Sequence, residues 1–156
     1  MQGYEHLDPF EPMTVIQSRP LGLEHLLHGD HLDIPARELM TPRVVSVIED
    51  ASLHEAFRVM STHHIHAILV VARDTGRPLG WLTSHGLLAH AGDKRVTRAR
   101  EAIMDCPACV EPTAPARTAA QLMLDRGISH VLVGASAEVP PQGVISDYDL
   151  ARLASL

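Results

Sequence analysis

Ser146, Asp147 and Asp149 stand together in Gly143-Val144-Ile145-Ser146-Asp147-Tyr148-Asp149-Leu150, and their types suit a sugar phosphate. An ionised carboxylate such as Asp149 can accept two hydrogen bonds at once from vicinal hydroxyls, as the acidic residue of dinucleotide-binding folds does with ribose. Ser146, where a helix would begin, offers a hydroxyl beside unbonded N–H groups and a positive dipole end, which together favour a phosphate oxygen. The same spacing also fits a helix cap, a hydroxyl followed three residues later by an acid. A cap is worth about 1 kcal/mol and needs no ligand, so both readings stand at this point.

Other reactive side chains point less far. Cys106-Pro107-Ala108-Cys109 has the C-x-x-C spacing of thiol oxidoreductases, where a helix dipole lowers the first thiol's pKa. Such a motif leaves a strand and opens a helix, whereas this one follows a short helix and enters a strand, so ordinary loop thiols are expected. His63-His64-x-His66 invites a metal, but no second ligand cluster stands at ordered spacing. The chain has no phosphate-binding G-x-x-x-x-G-K-[ST] loop, G-x-S-x-G elbow or H-E-x-x-H helix, and no catalysis is expected.

Composition narrows the partners. The 156 residues are 46% apolar and 21% charged, as in a globular protein, so a packed core is affordable. A formal charge of −6 disfavours sequence-independent nucleic-acid binding, and five aromatic residues leave few rings to stack on bases. No apolar run approaches the roughly 20 residues that span a bilayer. The start, Met1 to His6, lacks the charged and apolar regions of a signal peptide, and two cysteines suit a reducing compartment. A cytoplasmic protein without nucleic-acid or membrane partners is the expectation.

The elements that must position Ser146 and Asp149 emerge when the chain is slid along itself by 63 or 64 places. Ala36-Arg37-Glu38-Leu39-Met40 recurs as Ala99-Arg100-Glu101-Ala102-Ile103-Met104 with one insertion, and Val59-Met60 recurs as Leu122-Met123. Ile65 to Val70 falls on Ile128 to Val133, and Gly80-Trp81-Leu82-Thr83 falls on Gly143-Val144-Ile145-Ser146. Met40, Met60, Met104 and Met123 occupy equivalent places and read as core. A unit of about 60 residues is longer than the common solenoid repeats, so two pseudo-symmetric lobes are expected, over 32–92 and 93–156. Residues 1–31 stand outside as an extension that is partly ordered at best.

Each unit reads strand, helix, strand, strand, helix. In the first, Val44 to Ile48 is β-branched, Ser52 offers a cap, and Leu53, Ala56, Phe57 and Met60 keep helical spacing. Ile68 to Val71 is a buried strand, Asp74 to Arg77 a tight turn, and Leu79 to Leu82 its partner, followed by a short helix from Thr83 or Ser84. In the second, Arg117 to Arg126 is the long helix, Gly127 its stop, and Ala135 to Gln142 a longer, exposed and mobile hairpin loop.

This pattern resembles the cystathionine-β-synthase-type (CBS) domain family over about residues 32–156. Glu38-Leu39-Met40-Thr41-Pro42, the two Gly-x-x-Thr/Ser strand ends and the octapeptide ending in Asp149-Leu150 carry the resemblance. It implies an α/β (α+β) fold, two β-α-β-β-α units packed through their sheets, with two clefts for AMP, ADP, ATP or another adenosyl compound. It also implies a regulatory module, no required cofactor, a homodimer formed through the lobes' helices, and an effector protein that reads the bound state. The implied nucleotide set is Ser146, Asp147 and Asp149, with adenine between Ala108-Cys109-Val110 and Val131-Leu132. His66, His130 and Thr83 complete it, the histidines as phosphate partners that grip harder as pH falls from about 7.5 toward 6. Gly86 stands where the second unit has Asp149, and Trp81 replaces a smaller aliphatic, filling space on the sheet or facing a partner. One competent cleft, in the second unit, is therefore expected. The contrasting expectation is a ligand-independent dimerisation scaffold with the same fold, and a redox-responsive protein using Cys106 and Cys109 stands behind both.

Overall fold

The computed structural model describes residues 27–155. A 3-10 turn over Asp30–Asp33 leads into a one-turn helix α1 (Ala36–Leu39) and strand β1 (Thr41–Pro42). Then follow β2 (Ser46–Ile48), α2 (Leu53–His63), β3 (Ala67–Val71), β4 (Pro78–Thr83) and α3 (Ser84–Ala89). The second unit has a 3-10 turn over Ala99–Ala102, then β5 (Cys109–Val110), α4 (Ala116–Arg126), β6 (His130–Val133), β7 (Gly143–Ser146) and α5 (Asp147–Ala154). The fold is mixed α+β with two sheets, in the orders β2-β3-β4 and β1-β7-β6-β5.

Local chemistry sets the boundaries. The Ser52 hydroxyl accepts from Glu55 N–H at 3.1 Å and starts α2. Helix α4 ends on Gly127 at φ 62°, and α2 ends on the equivalent position, His64, at φ 53°. That left-handed conformation is free for glycine and costly for histidine. The β3–β4 turn closes through Gly76, at φ 69°, whose N–H donates to Ala72 C=O at 3.0 Å.

Strands β3 and β6 are apolar without alternation because both their faces are covered. Ile68 and Val70 pack under the first unit's helices, and Val131 and Val133 under the second's. Leu69 and Leu132 point the other way and, with Trp81, form a thin layer where the two sheets meet.

The two opening segments change places. Strand β1 pairs antiparallel with β7, Thr41 opposite Val144 and Pro42 opposite Gly143, and Leu32 and Ala36 lie in the second unit's core. In return Ala99 and Ala102 lie in the first unit's core, and Trp81 bridges to Asp105. The hydrogen bonds obey the repeat: Ala36 N–H donates to Ala114 C=O at 2.7 Å, and Ala99 N–H to Ala51 C=O at 2.8 Å. Likewise Ala116 N–H donates to Ile34 C=O at 2.8 Å, and Leu53 N–H to Thr97 C=O at 3.1 Å. The sequence units 32–92 and 93–156 are thus repeats of sequence, while each lobe borrows its first turn from the other. Arg117 of α4 holds one exchanged segment through Asp33 at 2.6 Å, and Arg98 of the other segment reaches Asp50 C=O at 2.8 Å. The extension read over 1–31 falls outside the described residues as far as residue 26; from Leu27 on, the chain packs against the second unit's core.

The exchange explains the glycine of each Gly-x-x-Thr/Ser strand end. A Cβ on Gly143 would lie 2.6 Å from Met40 Sδ and 2.7 Å from Thr41 C=O. A Cβ on Gly80 would lie 2.7 Å from Asp105 C=O and press on Ile103. Each glycine admits the backbone of the other unit's opening segment. Gly143→Ala and Gly80→Ala are each expected to lower stability by about 1–3 kcal/mol through overpacking, read as a reduced midpoint of urea unfolding. An unchanged midpoint would contradict this account of the exchange.

Candidate functional site

The crossing of β1 into β2 opens a cavity of about 550 Å³ beside the start of α5, within the roughly 300–1,000 Å³ range of small-molecule sites. Ser129, His130, Val144, Ser146, Asp147, Tyr148 and Asp149 form its second-unit wall. The first unit supplies the facing wall, from Thr41, Arg43, Val44 and Val45 and then His64, Ile65, His66, Ala67 and Trp81. Any occupant touches both units.

Ser146 and Asp149 form a closed reciprocal cap. The Ser146 hydroxyl accepts from Asp149 N–H at 3.2 Å, while Asp149 Oδ2 accepts from Ser146 N–H at 2.8 Å and from the Ser146 hydroxyl at 2.9 Å. The neighbouring donors are also engaged: Asp147 N–H reaches Ser129 C=O at 2.9 Å, and Tyr148 N–H reaches its neighbour Asp147 Oδ1 at 2.8 Å. The unbonded N–H groups expected beside Ser146 are therefore already paired, and an anion there must displace a cap. Asp149 keeps its Oδ1 without a protein partner among the described residues, which leaves that oxygen for donors on an occupant.

Arg43, His64 and His66 stand on the opposite wall. Arg43 (φ 67°) and His64 (φ 53°) are the two non-glycine residues with positive φ among the described residues, and both line this cavity. Strained backbone held in place by its surroundings gathers at ligand sites. The strand expected over Val44 to Ile48 runs over Ser46–Ile48, while Val45 C=O still accepts from Leu69 N–H at 3.2 Å and Val44 and Val45 line the cavity after the Arg43 bend. Neither Arg43 nor His64 was legible as a site residue, since their placement depends on the exchange.

Of the sequence-derived set, Ser146, Asp147, Asp149, His130 and His66 meet at the cavity. Ala108, Val110 and Val131 do not: they are buried in the second unit's core. Cys109 lies between the sheets, its Sγ 3.6 Å from Gly134 C=O, and burial pushes its thiol pKa up, the reverse of an activated thiolate. The wall foreseen from Ala108 to Val110 is supplied by Val44 and Val45 of the other unit. Nor are His66 and His130 repeat partners, for His130 stands opposite Ser146 in the ladder where the first unit pairs Ala67 with Thr83.

Thr83 caps α3, accepting from Gly86 N–H at 3.0 Å. Gly86 is buried, and a Cβ there would meet Met104 Cγ at 2.6 Å. An aspartate at Gly86 would require the half-exposed Met104 side chain to shift. Among the described residues no three His, Cys, Asp or Glu side chains gather as a metal site. No helix among them is long and apolar enough to cross a membrane.

His130 is held in the wall by packing on Trp81, their ring centroids 5.1 Å apart, and by a 3.0 Å contact between its Nδ1 and the Ser129 hydroxyl. Burial lowers its pKa, while Asp147, Asp149 and Asp105 oppose that shift in part. The unfolded chain therefore takes up the proton first, near the ordinary value of about 6.5. The stability tied to neutral His130 is complete above that pH and is lost as pH falls toward the lower folded value. Unfolding free energy is expected to fall more from pH 7.5 to 5.5 in the parent protein than in His130→Gln; parallel pH curves would contradict this.

Comparison with known proteins agrees with this architecture. The family model for the CBS domain matches residues 36–93 and again 99–155. The uncharacterized protein MJ1404 of Methanocaldococcus jannaschii is 30% identical over 128 residues, covering 80% of this chain, which spans 29% of that relative's length. Among solved structures, the CBS domain protein PAE2072 from Pyrobaculum aerophilum complexed with AMP superposes with a TM-score of 0.66 at 25% identity, covering 79% of this chain and 100% of that one. The CBS domain pair of protein MJ0100, solved with 5'-methylthioadenosine and S-adenosyl-L-methionine, gives a TM-score of 0.69 at 18% identity, covering 78% and 95%. With two matched copies, exchanged opening segments and sheets packed face to face, the chain belongs to the CBS domain family as a tandem pair.

Proposed function

We propose that the chain is a regulatory, non-catalytic module that binds one adenine nucleotide, AMP, ADP, ATP or another adenosyl compound, in the cleft beside α5. One observation carries this reading: a single cavity combines the Asp149 carboxylate with Arg43, His64 and His66 on the facing wall. A carboxylate oxygen suits vicinal ribose hydroxyls, and the Arg43 guanidinium with the imidazole N–H donors beside it suits phosphate. The AMP bound by PAE2072 supports the ligand class. Because both units wall the cavity, occupancy would bias their relative position, and an effector protein would read that bias. Leu88, Leu124 and Tyr148, exposed on three helices, are consistent with a homodimer joined through helices.

A ligand-independent scaffold is the second reading, favoured by the internally paired start of α5 and by Met104 at Gly86. A thermal-shift series with AMP, ADP, ATP, NAD and S-adenosylmethionine separates the two. The module gains about 2.7 kcal/mol at a ligand concentration one hundred times Kd, and a flat series leaves the scaffold. Asp149→Ala is expected to weaken nucleotide binding at least about tenfold and to cost about 1 kcal/mol of stability through the lost cap. Lowered stability with unchanged calorimetric affinity would reduce Asp149 to a cap.

A further inference from the structure

Trp81 is the one tryptophan of the chain and sits where the repeat has Val144 in the second unit. Both residues line the cavity, so the fold is satisfied by an aliphatic side chain at this place and does not itself call for an indole. Trp81 is 5% exposed, packed between the sheets with Leu69 and Leu132. Its Nε1 is shielded from solvent and has no hydrogen-bond partner among the described residues. A buried N–H left unpaired is disfavoured, and an acceptor on an occupant relieves it. Leu69 and Leu132 are buried with the indole, Val44 and Val144 pack against that cluster, and the His130 ring lies against the indole. A neutral acceptor suits this largely apolar place better than a phosphate oxygen, which carries the larger desolvation cost. The Nδ1 of that His130 ring is 3.0 Å from the Ser129 hydroxyl.

We infer that Trp81 is a specificity-determining residue of the cleft, its indole N–H donating to an unprotonated ring nitrogen of the bound purine. The inference rests on the adenine-nucleotide reading above and adds to it the group that distinguishes the base. The first unit thereby contributes base recognition to a cleft whose carboxylate belongs to the second.

Titration calorimetry of the unaltered protein with AMP and its 1-deaza, 3-deaza and 7-deaza analogues, repeated on Trp81→Phe, tests the inference. One analogue is expected to bind the unaltered protein about tenfold more weakly than AMP, and Trp81→Phe to bind AMP weaker by a similar factor. Trp81→Phe then ceases to distinguish that analogue from AMP, the coupling expected of directly bonded partners. Equal AMP affinity in the two proteins overturns the inference, as does a Trp81→Phe protein that discriminates the analogues unchanged. If Trp81→Phe does not fold, the analogue series on the unaltered protein decides, and three analogues binding as AMP does would overturn it. Failure of the unaltered protein to bind AMP or any other adenine nucleotide strikes the underlying reading itself and removes the inference with it.

Discussion

The reciprocal exchange of opening segments holds the molecule together and determines where its cavity lies. Each lobe lacks its own first turn: Ala36 completes the second core and Ala99 the first, through backbone bonds that match residue for residue under the repeat. The crossing segment needs room at the receiving strand. Gly143 and Gly80 provide the room, so the most recognisable glycines of the repeat serve packing before they serve any ligand. The crossing chain from Thr41 to Val45 then becomes one wall of the cavity, opposite the start of α5. Folding and site formation are therefore the same event for this protein.

Pseudo-symmetry in the backbone coexists with asymmetry in the chemistry. Thr83 and Ser146 are equivalent caps, but the position three residues later is Gly86 against Met104 in one unit and Asp149 in the other. The position two residues before the cap is Trp81 in one unit and Val144 in the other, and the left-handed helix stop is His64 in one and Gly127 in the other. Two of these differences, Trp81 and His64, lie in the wall of the cavity beside α5. Bulk and charge from the first unit, Trp81, His64 and Arg43, converge on the cavity that already holds Asp149.

Much of this was legible in the sequence, and the rest was hidden for definite physical reasons. The shift of 63 places exposed two units, and helical spacing with Ser52 and Gly127 placed the long helices, because periodicity and caps are local properties. Ser146 and Asp149 were legible for the same reason. The identity of the facing wall was not. Apolar patterning says that Val110 and Val131 are buried but not on which side, and in fact they face their own helices while Val44 and Val45 cross over. The pairing of the N–H groups around Ser146 depends on Ser129 C=O, brought close only by the β6–β7 ladder. Arg43 carries no motif, and His64 stands in a His63-His64-x-His66 run whose spacing suggests a metal; their place in the cavity follows from a backbone bend that residue type would argue against.

The central claim is that two similar units make one competent nucleotide cleft. Titration calorimetry with AMP on the intact chain measures this directly through its stoichiometry. The account predicts saturation near one nucleotide per chain; two equal tight sites would contradict it.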